Sequence, residues 1–467
     1  MLEGDVLLAL SLFSSAQMDK INSTAKKSNA ALAKPERKQV SKSITSELDA
    51  ISEKVKEYFK DSNAILITTK DQLHDYVTNA IASGYAGIDT ETTGLDRLHD
   101  TIVGSSLYYP GGVECYIPSR HIVPIFEEPY KNQLSYEDIE EEFQRLADSD
   151  IKLIFANADF DLAMIYKDIH VDLIDRCYYD VQIAWRVIKE NERDNALKVL
   201  YSKYVLRGKG DPMKFRDFFS PAQFPYCNPE IAKLYAANDA KITFELFRWQ
   251  LPYLLKDNQK CKKHGFEAIS DLVWNVEFPM IRICQMMHRR GIYLEKSMAN
   301  MLYNKYIPES NAEHEKLRGM VQDIMNDPKY HTSAKCPFRT SKEFNPNSTP
   351  HVRYLVYDLL KLDGGRSGGT GKEILSTYDV PVVKQILKCR SLVTLIGTFV
   401  EKLPNSTSSD SRIHCEFKQI GADTGRMSSK NPNMQNIPSK HNDIRHMFRA
   451  TPGYVLLSSD FSLHYVG

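Results

Sequence analysis

The chain has 467 residues, which is enough for two to four domains, each with a sizeable core. Its formal net charge is zero, which excludes a histone-like polycation but not an enzyme with separate basic and acidic surfaces. No apolar run approaches the roughly 18 residues of a membrane span, and the eight cysteines stand singly, so we expect a cytoplasmic protein with no membrane contact, disulfide or zinc site.

Residues 1–62 are predicted to be a basic and helical extension. Met1–Ala16 is apolar with an acidic flank, which predicts a packing or docking segment rather than a signal peptide. Asp19–Lys42 carries seven Lys or Arg against two acids. It predicts a flexible basic segment, either a solvated linker, which is favoured, or a DNA contact. A helix face is predicted from the spacing of Leu48, Ile51, Val55 and Tyr58/Phe59.

Residues 63–255 are predicted to form an α/β domain. Its first elements should be a strand at Ala64–Thr68, a helix at Gln72–Ala82 and a strand at Tyr85–Asp89. Alternation of strand and helix patterns continues to the end of this range. This region therefore predicts a sheet covered by helices.

Residues 256–412 are predicted to be mainly helical, and residues 413–467 to begin a further domain. The expected helices are Val276–Arg290, Ala312–Met325 and Val352–Leu362. The expected loops are Asp363–Gly371 and Asn405–Ser411, which are rich in Gly or Ser.

Four acids and a tyrosine recur in an order that predicts a metal site. Asp89 and Glu91 point to the same side of a strand because side chains alternate. Asp161 stands where a strand turns into a helix, and Tyr235 and Asp239 share one helix face. Any one of these acids is more often a cap or turn residue, but the set together should bind two Mg²⁺ (or Mn²⁺) ions and hydrolyse a phosphodiester.

The set resembles the DEDDy exonucleases, with Asp-x-Glu, Asn-x-x-x-Asp and Tyr-x-x-x-Asp in the family's order. The resemblance implies a ribonuclease H-like mixed sheet covered by helices. It implies that Asp89 bridges both metal ions and that Glu91 and Asp239 hold the ion that activates water. Asp161 would act at the second ion, partly through water, and Tyr235 would orient the attacking water.

Two further residues are candidates for DNA contact in this resemblance. Leu95 is similar to an apolar residue that packs on the terminal base of a frayed strand, although a core leucine is nearly as good an explanation. Asn157 is a candidate substrate contact, and helix capping explains it equally well. Asp180 and Ala196–Leu200 also match the family and are interpreted as scaffold.

The segments Thr424–Ser429 and Pro432–Pro438 resemble a block diagnostic of family A (DNA polymerase I-like) polymerases. With weaker pieces elsewhere, the resemblance covers about Ala64–Ser462. It implies that Arg426 reaches the minor-groove edge of the primer terminus and that Gln435 and Asn436 contact template or primer. The helical region would then be a thumb, followed by the start of an α+β palm.

Asp460 matches the first catalytic aspartate of such a polymerase. The nearly all-apolar run Val455–Asp460 predicts a central strand. After Ser462 the match to the family stops within a motif, and no fingers helix or second aspartate follows. The resemblance therefore predicts an incomplete polymerase site, a chain truncated within that motif, and, from the diverged N-terminus, a bacteriophage type in the host cytoplasm.

The leading hypothesis is an N-terminal part of a family A DNA polymerase that removes nucleotides from single-stranded or frayed DNA 3′ ends, as in proofreading, and also meets primer-template. The alternative is a noncatalytic DNA-binding or assembly half of a split polymerase, whose partner is a second polypeptide. A third hypothesis, an RNA-trimming DEDDy nuclease, is disfavoured by the polymerase block after Thr424.

Overall fold

The structure is a computed structural model. It describes residues 34–459, except for 125, 190, 193, 210–213, 256–262, 264–268, 364–367, 423 and 439–440. Met1–Ala16, Asp460 and the first part of Asp19–Lys42 lie outside the described residues. The chain forms two compact units, Met1–Gln285 and Met286–Gly467.

The first unit holds a mixed sheet and most of the helices that flank it. Its strands are β1 Ile65–Leu66, β2 Tyr85–Thr92, β3 Ile102–Tyr108, β4 Cys115–Pro118, β5 Ile122–Val123, β6 Glu128–Pro129, β7 Lys152–Phe155 and β8 Cys177–Asp180. Its helices are α1 Lys34–Tyr58, α2 Lys70–Ser83, α3 Tyr136–Asp148, α4 Ala158–Asp168, α5 Val181–Ile188, α6 Leu197–Leu200, α7 Phe215–Phe218, α8 Pro229–Leu254 and α9 Ile269–Leu272. Helix α10, Phe278–Arg290, follows.

The main sheet has six strands in the order β1-β4-β3-β2-β7-β8. Strand β2 pairs antiparallel with β3 and parallel with β7, and β7 pairs parallel with β8. The predicted mixed sheet with helices is therefore confirmed. Strand β2 therefore lies inside the sheet, with a hydrogen-bonded neighbour on each side.

Local sequence accounts for the helix before β2. Thr69 caps α2 with a capping box that Gln72 completes, and Gly84 ends the helix with a left-handed φ of 76°. The apolar side chains of α2 that face the sheet, Leu73 and Val77 among them, are fully buried. The helix predicted at Gln72–Ala82 is confirmed and extends slightly at both ends.

Helix α8 packs directly on β2 at a glycine. A Cβ atom at Gly87 would collide with the backbone carbonyl of Ala240. The missing side chain thus lets the helix backbone approach the strand closely. Because Asp239 precedes Ala240, this contact brings that carboxylate to the strand that carries Asp89 and Glu91.

The second unit is mainly helical, as predicted. Its helices are α11 Lys296–Asn326, α12 Thr349–Arg353, α13 Lys372–Leu375, α14 Pro381–Leu395, α15 Lys402–Asn405 and α16 Asn442–Arg445. Its strands are β9 Ile292–Tyr293, β10 Arg412–Ile413, β11 Glu416–Lys418 and β12 Ser428–Lys430, paired antiparallel as β9–β10 and β11–β12. One core cluster of the unit gathers side chains such as Leu355, Val383 and Ile386.

Three sequence predictions need correction. Helix α1 begins at Lys34, so the part of Asp19–Lys42 that the structure describes is helical rather than a flexible segment. The strand predicted at Ala64–Thr68 shrinks to two residues, Ile65–Leu66. The helix predicted at Val352–Leu362 begins at Thr349 and ends at Leu359, its last turns being a π-helix.

The strand predicted at Val455–Asp460 is also wrong over the residues that the structure describes. Residues 455–459 form no strand, and the side chains of Val455 and Leu457 are 89% and 92% exposed. A strand needs a hydrogen-bonded neighbour, which an apolar composition alone does not supply.

Within the described ranges, no helix is both long and apolar enough to cross a membrane. The seven cysteines found there are all free thiols.

Candidate active site

Three of the predicted carboxylates lie together in the first unit. Asp89 and Glu91 extend from the second half of β2, and Asp239 extends from α8. Carboxylate oxygens of the three residues lie within 4.8 Å of one another. Carboxylate oxygens are the ligands that hard divalent cations prefer, so this donor set fits Mg²⁺ or Mn²⁺.

Asp161 lies beside this cluster but is oriented by a residue of β2. Its Oδ1 accepts hydrogen bonds from the backbone N–H of Thr90 at 3.1 Å and from the Thr90 hydroxyl at 2.5 Å. Asp161 stands in the first turn of α4 and is 3% exposed. Thr90, between Asp89 and Glu91, therefore ties α4 to the strand that carries two of the other acids.

The crowded acids resist ionisation. Burial, together with the neighbouring carboxylates of Asp161, Asp239 and Glu91, raises the pKa of Asp89 well above its usual value. Burial and the carboxylate of Asp239 raise the pKa of Glu91 to about 8. Burial raises the pKa of Asp161 to about 7, against the lowering effect of the Thr90 hydrogen bonds. A bound divalent cation would stabilise the ionised form of these acids, so the cluster favours cation binding.

Lys198 is the residue that sequence reasoning missed. Its Nζ lies 3.0 Å from Oδ1 of Asp239 and 3.5 Å from the ring centroid of Tyr235. Its positive charge lowers the pKa of Asp239, against the larger raising effect of burial. The sequence interpretation of Ala196–Leu200 as scaffold stays a prediction, and the structure adds that the Lys198 ammonium group pairs with an acid of the cluster.

Tyr235 lies one turn before Asp239 on α8 and is 3% exposed. Its ring is surrounded by the rings of four phenylalanines at centroid distances between 5.6 and 6.3 Å, namely Phe59, Phe215, Phe218 and Phe219. Burial raises the pKa of its hydroxyl above the usual value. The tyrosine therefore stays protonated and can both donate and accept a hydrogen bond.

Asp180 and Arg97 link the elements that carry the acids to neighbouring segments. Asp180 accepts hydrogen bonds from the backbone of Gln182 and Ile183 at the start of α5, and from Ala158 at the start of α4. Arg97, whose side chain is 3% exposed, pairs with Asp159 at 2.6 Å. Its charge also opposes the rise in the pKa of Asp161. Asp180 thus has a structural role, and Arg97 is a second cation that the sequence reasoning did not single out.

The structure separates the alternatives for Leu95 and Asn157. Leu95 is 71% exposed in the loop after β2, so the core-leucine explanation is wrong. Asn157 precedes α4 with a left-handed φ of 74°, and its side chain makes no capping hydrogen bond. Capping by its side chain therefore does not explain Asn157, whereas its backbone conformation is one that asparagine tolerates well.

The candidate DNA contacts of the second unit lie on and after the β11–β12 hairpin. Arg426, Gln435 and Asn436 are exposed. The side-chain amide of Gln435 donates to the carbonyl of Met427 at 3.0 Å. The hydroxyl of Ser429 accepts a hydrogen bond from the Met434 N–H at 3.0 Å, which holds this loop on the hairpin. The loop therefore brings Gln435 back to the segment that carries Arg426.

Comparisons with known proteins match both units. Residues 64–249 match the family model described as 3′-5′ exonuclease. Residues 314–464 match the model described as DNA polymerase family A. The described acids of the cluster and Tyr235 fall within the first match, and Arg426 falls within the second.

Curated relatives are DNA polymerases. DNA polymerase I of Borreliella burgdorferi is 26% identical over 407 residues, which cover 85% of this chain and 40% of the relative. The DNA polymerase of Escherichia phage T5 is 25% identical over 426 residues, which cover 85% of this chain and 46% of the relative. The chain thus spans less than half the length of these relatives, and a bacteriophage type stays a prediction because bacterial and phage proteins both match.

A solved structure shares the fold. The POL domain of Pol1 from M. smegmatis, in complex with DNA primer-template and dNTP, superposes with a TM-score of 0.58 at 18% identity. The match covers 84% of this chain and 59% of that one. Residues 64–249 are thus similar to 3′-5′ exonucleases, and residues 314–464 are similar to family A DNA polymerases.

Proposed function

We propose that the first unit hydrolyses single nucleotides from DNA 3′ ends with two divalent cations, as a proofreading exonuclease does. The observation that carries the proposal is the group of Asp89, Glu91 and Asp239, whose oxygens lie within 4.8 Å of one another. The match of residues 64–249 to 3′-5′ exonucleases supports the same chemistry. The mixed sheet agrees with the ribonuclease H-like fold expected for this class.

The donor set suits Mg²⁺ or Mn²⁺. Asp89, Glu91 and Asp239 would hold one ion, and Asp161 would act at a second ion together with Asp89. Two such ions activate a water and stabilise the leaving oxygen of a phosphodiester. Asp161 and Asp239 are buried and Asp89 and Glu91 are half-buried, so water screens their attraction for a cation only partly.

The neighbouring side chains would place water and substrate. The hydroxyl of Tyr235 would orient the attacking water, because the tyrosine lies one turn from Asp239 and remains protonated. Lys198 holds Asp239 through its ammonium group at 3.0 Å. Leu95, exposed after β2, would pack on the terminal base, and Asn157 would contact the strand near the same edge.

In the second unit, exposed Arg426 would contact the primer terminus, and Gln435 and Asn436 would contact primer or template. An arginine suits this role because its planar guanidinium donates to base acceptors and sugar oxygens alike. The helices of this unit would form the thumb, and the hairpin region the start of the palm. The proposed substrate is a primer-template, whose frayed 3′ end the acids of the first unit would hydrolyse.

The test compares labelled oligonucleotides. With Mg²⁺, we expect mononucleotides from the 3′ end of single-stranded DNA and of duplexes with a mismatched 3′ end, and slower release from fully paired ends. EDTA should stop the release. Release from the 5′ end, or without metal, would contradict the proposal. A strong preference for RNA of the same sequence would favour the RNA-trimming class instead, and binding without hydrolysis would favour a noncatalytic subunit.

A further inference from the structure

Helix α1 lies outside the residues that match known exonucleases but packs into the exonuclease unit. The match begins at residue 64, whereas α1 spans Lys34–Tyr58. On the face of α1 that sequence spacing predicts, Val55 is fully buried, and Ile51 packs against the same core cluster. That cluster also contains Tyr235. The helix is thus built into the core around the candidate catalytic tyrosine.

Polar contacts fix α1 to the segment around α7. Nζ of Lys54 donates to the carbonyl of Asp217 at 2.6 Å. The amide of Gln223 donates to the carboxylate of Glu47 at 3.0 Å. Glu47 and Lys54 are seven residues apart, so both contacts lie along the same edge of the apolar face and fix α1 to the unit at two successive points.

The residue after the helix reaches the tyrosine itself. The ring of Phe59 meets the ring of Tyr235 edge-to-face, with 6.3 Å between centroids and 88° between planes. Phe59 also contacts Phe218, another ring around Tyr235, at 5.9 Å. Of the four phenylalanines around Tyr235, Phe215, Phe218 and Phe219 belong to the matched exonuclease region, and Phe59 comes from outside it.

We propose that α1 is a working part of the exonuclease site, and that Phe59 is a positioning residue that fixes the ring of Tyr235 and thereby its hydroxyl. The inference rests on the proposed function, in which that hydroxyl orients water. An edge-to-face contact restricts rotation and tilt of the partner ring. A small displacement at the ring would move the hydroxyl off the line of attack, because a catalytic group must be held to within a fraction of an ångström.

A double-mutant cycle tests the proposal. Phe59→Ala should lower kcat for release of mononucleotides about three- to tenfold, the factor that one lost aromatic contact can give, with KM for DNA unchanged. In the Tyr235→Phe background the same change should lower kcat no further, because no hydroxyl remains to position. The fall in Tm caused by Phe59→Ala should be the same in both backgrounds.

Two further variants keep a loss of folding apart from a loss of positioning. Leu48→Ala removes another buried side chain of α1, about three turns from Phe59, and it should lower the Tm while leaving kcat unchanged. Phe59→Leu fills the core without an aromatic edge, and it should keep the Tm near that of the wild type while lowering kcat.

The proposal would be overturned if kcat were unchanged in both Phe59→Leu and Phe59→Ala. It would also be overturned if Phe59→Ala lowered kcat equally with and without the Tyr235 hydroxyl. Neither result would contradict the exonuclease activity itself. A Tyr235→Phe variant as fast as the wild type would overturn both the role of the tyrosine and this inference. An inactive wild-type protein would instead contradict the proposed function itself.

Discussion

Lys198 shows what a single residue adds to the acidic site. Without a cation, the repulsion among Asp89, Glu91 and Asp239 opposes folding, and the Lys198 ammonium group 3.0 Å from Asp239 offsets part of it. The side chains of Lys198 and Asp239 are only 15% and 11% exposed, so water screens this pair weakly. The contribution of Lys198 to the free energy of unfolding is therefore largest when no metal is bound.

We expect Lys198→Met to destabilise the metal-free protein by on the order of 3 kcal/mol, as breaking a buried ion pair does, and to cost less in Mg²⁺. Thermal unfolding in EDTA and in Mg²⁺ measures the difference. The matched control is Lys241→Met, which breaks the pair with Glu114 at 3.2 Å on the same helix as Asp239. Its cost should be equal in both buffers. A Lys198→Met loss that Mg²⁺ leaves unchanged would rule out this role.

Sequence reasoning found the acids but not the lysine, for a physical reason. Asp89 and Glu91 are visible in sequence because strand side chains alternate, and Tyr235 and Asp239 because helix positions four apart share a face. The pairing of Lys198 with Asp239 depends on how α6 packs near α8, which no local spacing encodes. The sequence likewise could not tell whether Leu95 is a core residue or an exposed one, because an apolar side chain fits both. Its exposure in the structure excludes the core role.

Three elements meet at the cluster, and their packing makes its acids sensitive to pH. β2 supplies Asp89 and Glu91, α4 supplies Asp161, and α8 supplies Asp239. Glu91 has an ordinary pKa of 4.5 and a folded pKa of about 8, so between these values the folded protein holds a proton that the unfolded chain has lost. The free energy of unfolding should therefore fall as pH rises through this window when no metal is bound.

Comparison of Glu91→Gln with the wild type isolates this effect. In EDTA, the wild type should lose stability relative to the variant between about pH 4.5 and 8, because the glutamine has no proton to lose. Buried His121, whose pKa burial lowers to about 4, is common to both proteins and cancels. Glu230→Gln, at a 53% exposed acid on α8, should show no such trend. If the difference in unfolding free energy between the wild type and Glu91→Gln stayed constant from about pH 4.5 to 8, the raised pKa of Glu91 would be contradicted.

Element prediction succeeded where the chain signals its own ends. The cap Thr69 and the left-handed Gly84 bound α2 close to the predicted limits. Prediction failed where an element depends on a neighbouring strand. Residues 455–459 are apolar enough for a central strand, yet they have no strand neighbour among the described residues. Helix α1 begins at Lys34, ahead of the apolar spacing from Leu48 that predicts it.

At the scale of the whole chain, the proposed function assigns different tasks to the two units. The first unit contains the acids and the tyrosine, and the second contains the exposed Arg426 loop beside the β11–β12 hairpin. A wrongly paired terminus frays more easily, so the proposed exonuclease would act preferentially on mismatched 3′ ends. Helix α1 adds to the first unit an element that lies outside its match to known exonucleases.

The most direct test of the central claim is the rate of Mg²⁺-dependent mononucleotide release from a single-stranded DNA 3′ end by Asp239→Asn, measured beside Glu230→Gln on the same helix. Asparagine keeps the shape of the side chain and removes the charge that holds a cation. We predict a loss of more than roughly 100-fold for Asp239→Asn, since even residues that only support a metal ligand cost up to that factor. Glu230→Gln should match the wild type. Near wild-type release by Asp239→Asn, with an unchanged Tm, would contradict the account.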